Sequence, residues 1–243
     1  MIKSISIILP LFNEAQRLNK TFNEIRKFSK KKLIKSKEFI FIDDGSVDQS
    51  AEMIKKFIRN FKKTKNLKFK FIKLNKNSGK GAAIKMGVKA SKNNWILTSD
   101  IDFSVPLSEL EKWIKKKYIK KNFIVYFGSR AHRKSNVNSK LYRKIIGNFL
   151  RFLISLFLGI KIKDTQCGFK LYKSSIAKKI FSKIKFHGYE HDIEIVLLLK
   201  RLKLKIIELP VTWKHIKLSK VNMIIDPIKM LLKVFLMRIK YQA

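Results

Sequence analysis

Short apolar runs alternate along the chain with longer segments in which apolar residues recur every three or four positions. Runs such as 4–10 and 38–42 are rich in Ile and Phe and are bounded by Pro, Asp and Gly, which is typical of buried strands. The intervening segments, for example 13–30 with Phe22 and Ile25 on its apolar side, are typical of amphipathic helices. Strands that alternate with helices predict an α/β fold with a doubly wound, mostly parallel sheet.

The same pattern, followed to the end of the chain, gives six long strands and seven helices. We predict strands at 4–10, 38–42, 69–74, 95–99, 123–128 and 205–211, and a short strand entered from the polar turn at 164–172. We predict helices at 13–30, from 48, at 81–91, 107–117, 139–160, 190–202 and 221–241. Pro10 is expected to end the first strand, and Asn13 can cap the helix that follows it. Because no repeat or linker interrupts the pattern, we predict one domain with a nucleotide-binding half (1–128), an acceptor half (129–220) and a C-terminal amphipathic helix (221–243).

The chain carries a formal net charge of +39, from 56 basic and 17 acidic residues. A charge of this size first suggests a nucleic-acid partner. However, the basic residues are spread over the whole chain and are mostly Lys, whereas a base-reading surface favours Arg and interleaved aromatic rings. We therefore expect no nucleic-acid partner and favour an anionic membrane surface, to which each surface Lys or Arg adds about 1 kcal/mol of attraction.

Two segments, 149–158 and the closing helix 221–241, combine apolar faces with Lys and Arg residues. Such segments are ordinarily core helices, but the combination is also typical of helices that lie in a membrane interface. No stretch reaches about 18 uninterrupted apolar residues, and residue 1 leads straight into a strand-like run. We therefore expect no spanning helix, signal peptide or N-terminal anchor. The single cysteine, Cys167, excludes an internal disulfide and is compatible with a reducing compartment.

Asp100 and Asp102 follow the apolar run 95–97 at positions i and i+2. Because the chain turns after a strand, both carboxylates can converge on one cation, and carboxylates with room for water and phosphate oxygens suit Mg²⁺ or Mn²⁺. The carboxyl ends of the strands are also where open α/β sheets bind ligands. Taken alone, an Asp-x-Asp pair is more often simply an acidic turn. The neighbouring motifs therefore decide whether the pair is predicted to bind a metal.

Polar clusters follow four of the predicted elements, at 10–14, 43–48, 77–81 and 100–102. Each can be simply a cap or a turn, but in a parallel sheet all four lie along one edge. Carboxylates there suit donor groups of a base or ribose, and the backbone N–H groups of a glycine-led helix start suit phosphate. We therefore predict a nucleotide-diphosphate site that uses neither a Walker lysine motif nor G-x-G-x-x-G.

The order of these motifs resembles a family 2 glycosyltransferase of the GT-A fold: P-x-x-N-E, D-D-G-S-x-D, N-x-G-K-G, D-x-D and G-S-R. Three motifs of the second half, GSRAH at 128–132, DTQCGFK at 164–170 and DIE at 192–194, are similar to those of the dolichyl-phosphate β-glucosyltransferases and related polyprenyl-phosphate sugar synthases. The resemblance covers nearly the whole chain. It implies a metal-dependent enzyme that takes a hexose from a nucleotide sugar.

The resemblance also implies a role for individual residues. The nucleotide-sugar donor would be bound by Pro10, Asn13, Glu14, Asp43, Asp44, Gly79 and Lys80. The metal would be held by Asp100 and Asp102, and phosphate groups would face Arg130 and, at a similar distance along the chain, Arg143. Asp164 and Gln166 would shape the sugar and acceptor site, so that Asp102, Arg130 and Asp164 stand closest to catalysis.

The chemistry of the acceptor separates the possible functions. A lipid phosphate has a second pKa of about 6, so it is largely anionic at neutral pH and needs little help from a base. A sugar hydroxyl would need a carboxylate base, for which Asp164 is the candidate. We predict inverting transfer of glucose from UDP-glucose to a polyprenyl phosphate on the cytoplasmic, inner face of the membrane. The alternatives are transfer to a sugar hydroxyl in polysaccharide synthesis and a non-catalytic basic binding module.

Overall fold

The computed structural model of the protein describes residues 2–62, 64–138, 151, 153–214 and 225–241, with side chains from 230 onward in the last segment. The strands within these residues are β1 (Ser4–Leu11), β2 (Ser36–Asp43), β3 (Leu67–Lys73), β4 (Trp95–Thr98), β5 (Val125–Ser129), β6 (Asn136–Asn138), β7 (Lys170–Lys173), β8 (Ile207–Pro210) and β9 (Thr212–Lys214). The helices are α1 (Leu18–Ser29), α2 (Ser50–Asn60), α3 (Lys80–Ala90), α4 (Ser108–Lys115), α5 (described at 153–158), α6 (Ser174–Phe181), α7 (His191–Arg201) and α8 (Ile225–Tyr241).

Seven strands form one sheet in the order β3-β2-β1-β4-β7-β5-β8. All neighbours in this sheet pair in parallel except β7, which runs antiparallel to both β4 and β5. The strands β6 and β9 form a separate two-stranded sheet. The predicted α/β fold with a mostly parallel sheet is therefore confirmed.

The central strand β1 is buried on both faces, as its continuous apolar run predicts. Pro10 lies within this strand instead of ending it, because β4 pairs with β1 only as far as Ile8 and the proline therefore needs no amide on that side. The edge strand β3 reads LKFKFIK and is half-buried, with lysines alternating with apolar residues. Lysines on an edge strand discourage pairing with other chains.

Helices cover both faces of the sheet, and each face has its own apolar core. One core packs α1, α2 and α4 against the sheet, with Phe22, Phe57 and Trp113 among its largest members. The other packs α3, α6, α7 and the inner side of α8 against the opposite face. Two elements were missed in the sequence: the two-turn helix α6 and the short sheet of β6 and β9. Three-residue strands are too short to carry a recognisable alternation.

The closing helix α8 begins at Ile225, so Pro227 falls in its first turn, where proline is tolerated. Met230, Val234 and Met237 are buried against the second core. Among the described helices, none has both the length and the apolar character needed to cross a bilayer.

Candidate active site

Loops from distant parts of the chain meet at the carboxyl edge of the sheet. Lys80, at the start of α3, places its Nζ atom 2.6 Å from Oδ1 of Asp100, which follows β4. Arg17, between β1 and α1, places its Nη1 atom 3.2 Å from Oδ2 of Asp102. The convergence expected from a parallel sheet is therefore present, with the loops joined by ion pairs.

Asn13 connects the first two loops of this edge. It has a positive φ of 52°, a conformation that Asn tolerates better than most residues. Its Oδ1 atom accepts a hydrogen bond from the backbone N–H of Val47 at 2.9 Å, and its own N–H donates to Ser46 Oγ at 2.8 Å. The prediction that Asn13 caps α1 is wrong, because α1 begins only at Leu18 and the amide side chain is used to hold the neighbouring loop.

Asp43 ends β2 and is fully buried. Its Oδ1 atom accepts a hydrogen bond from the backbone N–H of Ser46 at 2.8 Å. Its Oδ2 atom has no hydrogen-bond partner among the described residues. Because a buried polar atom without a partner is costly, this oxygen suits a donor group of a ligand.

Asp44 holds the glycine turn before α3. Its two carboxylate oxygens accept hydrogen bonds from the backbone N–H groups of Ser78 and Gly79, both at 2.8 Å, and burial raises its pKa above the ordinary value. The N–H of Gly81 donates to a carbonyl of the segment before α7 at 2.7 Å. The expectation that the amides of this turn face a phosphate is therefore wrong for these three residues. The turn instead presents the side chain of Lys80.

Asp100 and Asp102 are the two acidic groups of the turn after β4. Their side chains are 38% and 17% exposed, and Oδ1 of Asp102 accepts hydrogen bonds from both N–H and Oγ of Ser104 at 2.9 Å. A Cβ atom on Gly168 would lie 2.6 Å from both oxygens of Asp100, so only glycine allows this approach. Among the described residues, no group of three or more Asp, Glu, His or Cys could hold a metal. The two carboxylates would therefore share a metal with ligand oxygens and water, which is how Mg²⁺ is commonly bound.

Lys80 and Asp100 each stabilise the charged form of the other. Burial works to lower the pKa of Lys80, but the carboxylates of Asp100 and Asp192 outweigh it, and the pKa is raised. Burial likewise works to raise the pKa of Asp100, but Lys80 outweighs it, and the pKa is lowered. Both groups are charged at neutral pH, so the site holds a fixed cation beside a carboxylate.

Arg130 and Asp164 form a bidentate ion pair that joins the loop after β5 to the loop before β7. The Nε and Nη2 atoms of Arg130 donate to Oδ2 and Oδ1 of Asp164, each at 2.8 Å, and its backbone N–H also donates to Oδ2 at 2.8 Å. Burial works to raise the pKa of Asp164, but Arg130 outweighs it, and the pKa is lowered. Glu208 of β8 accepts from the backbone N–H of Asp164 at 3.0 Å and fixes the loop.

Gln166 links the loop before β7 to the closing helix. Its backbone N–H donates to Oδ1 of Asp164 at 3.3 Å, and its side-chain amide donates to Sδ of Met230 in α8. The remaining predicted residue, Arg143, lies outside the described residues.

Arg17 was not singled out in the sequence. Its guanidinium pairs with the buried carboxylate of Glu14 and also reaches Asp102, so it connects the first loop to the acidic turn. Only its spacing from Glu14, one helical turn later, could have suggested the first of these contacts.

A second group missed in the sequence lies near the Lys80–Asp100 pair, since the carboxylate of Asp192 acts on the pKa of both residues. Lys170 donates to Oδ1 of Asp192, and Nε2 of His191 lies 3.3 Å from the same oxygen. The side chains of Lys170 and Asp192 are 1% and 7% exposed, so this is a buried ion pair. Both residues belong to the motifs DTQCGFK and DIE, and membership of these motifs was the signal that could have identified them.

Comparison with known proteins decides the family. The model of the family described as "Glycosyl transferase family 2" matches residues 6–181. The chain belongs to glycosyl transferase family 2. This glycosyltransferase is 31% identical to the dolichyl-phosphate β-glucosyltransferase of Saccharomyces cerevisiae, with 98% of this chain covering 75% of that protein. It is 33% identical to the Dictyostelium discoideum protein of the same name (98% of this chain, 74% of that protein) and 31% to the Homo sapiens one (90% and 69%).

Solved structures show the same fold at low identity. The glucosyl-3-phosphoglycerate synthase of Mycobacterium tuberculosis in complex with UDP has a TM-score of 0.68 and 15% identity, with 97% of this chain covering 80% of that one. The same enzyme in complex with Mn²⁺, UDP-glucose and glycerol 3-phosphate has a TM-score of 0.68 and 14% identity, with the same coverage. The predicted GT-A fold of this glycosyltransferase is thus confirmed.

Proposed function

We propose that this glycosyltransferase transfers glucose from UDP-glucose to a polyprenyl phosphate of the dolichyl phosphate type. The relatives at 31–33% identity are named for dolichyl phosphate as acceptor, and the GT-A neighbour was solved with UDP-glucose and Mn²⁺. The sugar, the base and the acceptor are each part of this proposal.

The state of two buried carboxylates in the acceptor half is the observation that carries the proposal. Both oxygens of Asp164 are bound by Arg130, and Asp192 is paired with Lys170. Burial works to raise the pKa of each carboxyl, but Arg130 outweighs it at Asp164 and His191 together with Lys170 outweighs it at Asp192, so both pKa values are lowered. A carboxylate that holds its negative charge so firmly is a poor proton acceptor. The site therefore suits a nucleophile that is already anionic, as a phosphate monoester is at neutral pH.

The transfer follows from this charge arrangement. A phosphate oxygen of the acceptor attacks the anomeric carbon of glucose, and the bond from that carbon to the diphosphate oxygen breaks, so that UDP leaves and the anomeric configuration inverts. No proton has to be removed from the nucleophile. Lys80 supplies positive charge near the leaving diphosphate, and Arg130 supplies it on the acceptor side, because two anionic reactants must be brought together. The fixed pairs with Asp100 and Asp164 keep both cations in place.

The residues present fit a divalent cation, Mg²⁺ or Mn²⁺, at Asp100 and Asp102. Two oxygen-donor side chains that are partly exposed to the cleft suit a hard cation that also keeps water and phosphate oxygens. When bound, such a cation offsets negative charge on a leaving diphosphate. Lys80 and Arg17 each form an ion pair with one of the two carboxylates and partly neutralise them.

We also propose that Asp43 binds the base of the nucleotide. Its buried Oδ2 atom has no partner among the described residues, and we infer that it accepts the N3–H of uracil. We further propose that the enzyme acts peripherally on the cytoplasmic face of a membrane, where the anionic leaflet attracts a chain of net charge +39.

The experiment compares two acceptors. Purified enzyme is incubated with UDP-glucose carrying labelled glucose, with Mg²⁺ or Mn²⁺, and with either a short water-soluble polyprenyl phosphate or a panel of sugars. We expect labelled glucose on the lipid phosphate, and its loss in the double variant D100N/D102N. Transfer to sugars but not to the lipid phosphate would overturn the acceptor, and undiminished metal-dependent transfer by the double variant would overturn the metal site.

A further inference from the structure

The closing helix α8 has two apolar faces. Met230, Val234 and Met237 form the inner one and are buried in the second core. The second, which we call the outer face of α8, consists of Leu232, Phe235, Leu236 and Ile239, whose exposed fractions are 64%, 55%, 50% and 62%. Their spacing of i, i+3, i+4 and i+7 places all four on one side of the helix.

Exposed apolar side chains are concentrated on this helix. The described residues contain nine exposed large apolar side chains, and four of them form the outer face of α8. Another, Leu156, is next to Phe157, whose carbonyl accepts a hydrogen bond from Arg238 of α8 at 3.0 Å. Single exposed apolar residues are normal, but a contiguous group on a helix that is already packed on its other side marks an interaction surface.

The charges around the outer face indicate which partner it fits. Lys233, Arg238 and Lys240 are exposed between the apolar residues, and the segment 230–241 contains no Asp or Glu. A second copy of this chain would oppose these cations with the same cations. An anionic lipid bilayer instead accepts both the apolar side chains and the positive charges.

Hydrogen bonds attach the segment 230–241 of α8 to the rest of the enzyme at both of its ends. Near its start, Met230 accepts from the side-chain amide of Gln166 in the acceptor half. At its end, Tyr241 donates its hydroxyl hydrogen bond to Glu194 at 2.5 Å. Glu194 in turn accepts from the backbone N–H groups of Lys185 and Phe186. The outer face is therefore a fixed surface on the enzyme body.

We propose that the outer face of α8 is the docking surface for an anionic lipid bilayer. Because Met230 of α8 contacts Gln166, this helix lies beside the proposed acceptor site around Asp164. A membrane docked on the outer face would therefore hold a lipid phosphate near that site. This inference rests on the proposed function, because it assigns a place to the lipid acceptor.

The test is co-sedimentation with vesicles of phosphatidylcholine alone or with about one third phosphatidylglycerol. The double variant F235Q/L236Q removes two side chains of the outer face, and L33Q/M86Q removes two exposed apolar side chains elsewhere. We expect the wild type to bind the anionic vesicles, F235Q/L236Q to bind them about tenfold or more weakly, and the control to stay within about twofold of the wild type. Equal binding by F235Q/L236Q and the wild type, or an equal loss in the control, would overturn the proposal.

Two further measurements distinguish membrane docking from self-association. F235W is a reporter that needs no loss of binding. After subtraction of the wild-type emission, which comes from three native tryptophans, the added emission is expected to shift to shorter wavelength on anionic vesicles and to be quenched by brominated lipid. An added emission that does not change would contradict docking. Sedimentation equilibrium without lipid is expected to give a monomer, and a dimer that F235Q/L236Q dissociates would assign the outer face to a second copy.

Transfer to the short soluble acceptor tests the proposed function alone. F235Q/L236Q should retain this transfer, because the soluble acceptor does not need a docked membrane. Vesicle binding without any transfer would refute the function and leave the docking surface standing.

Discussion

Lys80 and Asp100 form an ion pair of 2.6 Å that joins the glycine turn before α3 to the acidic turn after β4. The pair puts a permanent positive charge beside the two carboxylates that suit a metal. The amides of Ser78, Gly79 and Gly81 are bound within the protein, and the ammonium of Lys80 is the charged group that this turn brings to the site.

Replacing Lys80 by Met should therefore reduce turnover strongly. We expect kcat/KM for UDP-glucose to fall about 100-fold, because a fixed charge near the leaving diphosphate is lost. Lys85→Met is the matched control: it removes a lysine from the same helix, one whose ammonium donates a hydrogen bond to the backbone carbonyl of Ile184. Steady-state kinetics of both variants provide the check, and equal losses in the two would refute a specific role for Lys80.

Gly168→Ala tests the close approach to Asp100. The added Cβ atom would lie 2.6 Å from the carboxylate oxygens, so the side chain of Asp100 must shift from its position beside Lys80. A misplacement of about 1 Å in an active site can cost about 100-fold in rate, and we expect a loss of at least about tenfold in kcat with little change in thermal stability.

Gly87→Ala is the control for that substitution. Its added Cβ atom would lie 2.4 Å from Cγ2 of Ile8 in the core, away from the carboxylates. It should lower the free energy of unfolding while the folded enzyme keeps its turnover. Normal kinetics in Gly168→Ala would mean that the position of Asp100 does not matter.

Asp43→Asn tests the recognition of the base. Oδ1 must still accept from the N–H of Ser46, so the new NH₂ group takes the buried position of Oδ2 and meets the N3–H of uracil donor to donor. We expect UDP to bind about 10- to 100-fold more weakly by calorimetry. The variant should lose less affinity for CDP, whose ring N3 is an acceptor. A parallel loss for both nucleotides would argue against a direct contact with the base.

The ion pair of Asp164 with Arg130 should make stability depend on acid pH. The pKa of Asp164 in the folded protein is below its ordinary value of 3.8. The ion pair therefore contributes fully to the free energy of unfolding at pH values above 3.8, and this contribution is lost as the pH falls through the lower pKa of the folded state. Asp164→Asn should cost about 2 to 4 kcal/mol at pH 7, less than a fully buried pair because the Arg130 side chain is 35% exposed. The difference from the wild type should shrink below about pH 4.

Urea denaturation at a series of pH values measures this effect. Glu109→Gln provides the comparison, since it breaks an ion pair whose lysine, Lys112, is 53% exposed, and we expect it to cost less than about 1 kcal/mol. A difference between Asp164→Asn and the wild type that stays constant down to pH 3 would contradict the assigned pKa.

Much of the fold and of the candidate site could be predicted from local patterns. Runs of Ile and Phe bounded by turns located β1, β2 and β4, and the parallel topology then required Asp43, Asp100 and the other strand-end residues to share one edge. The contacts within that edge could not be predicted. Asp44 uses the amides of the glycine turn for itself, and Asn13 holds a loop instead of capping a helix, because in both cases a tertiary contact outweighs the local preference.

The insertion of β7 explains the largest omission. The short strand predicted after the polar turn is confirmed as β7 (Lys170–Lys173), but nothing local indicates that it enters the sheet between β4 and β5. In this position β7 brings Lys170 into contact with Asp192. The buried ion pair is therefore a consequence of long-range topology, and the spacing of apolar residues along the chain could not predict it.

The same insertion constrains how the polypeptide folds during synthesis. When a ribosome has made only residues 1–129, the strand β7, which lies between β4 and β5, has not yet been synthesised. Strand β4 then presents an unpaired edge of backbone donors and acceptors. The nascent chain must wait for residues 170–173 before the sheet can close. We therefore expect that residues 1–129 do not form an autonomous unit, and that a fragment ending at residue 129 aggregates where the full chain stays dispersed.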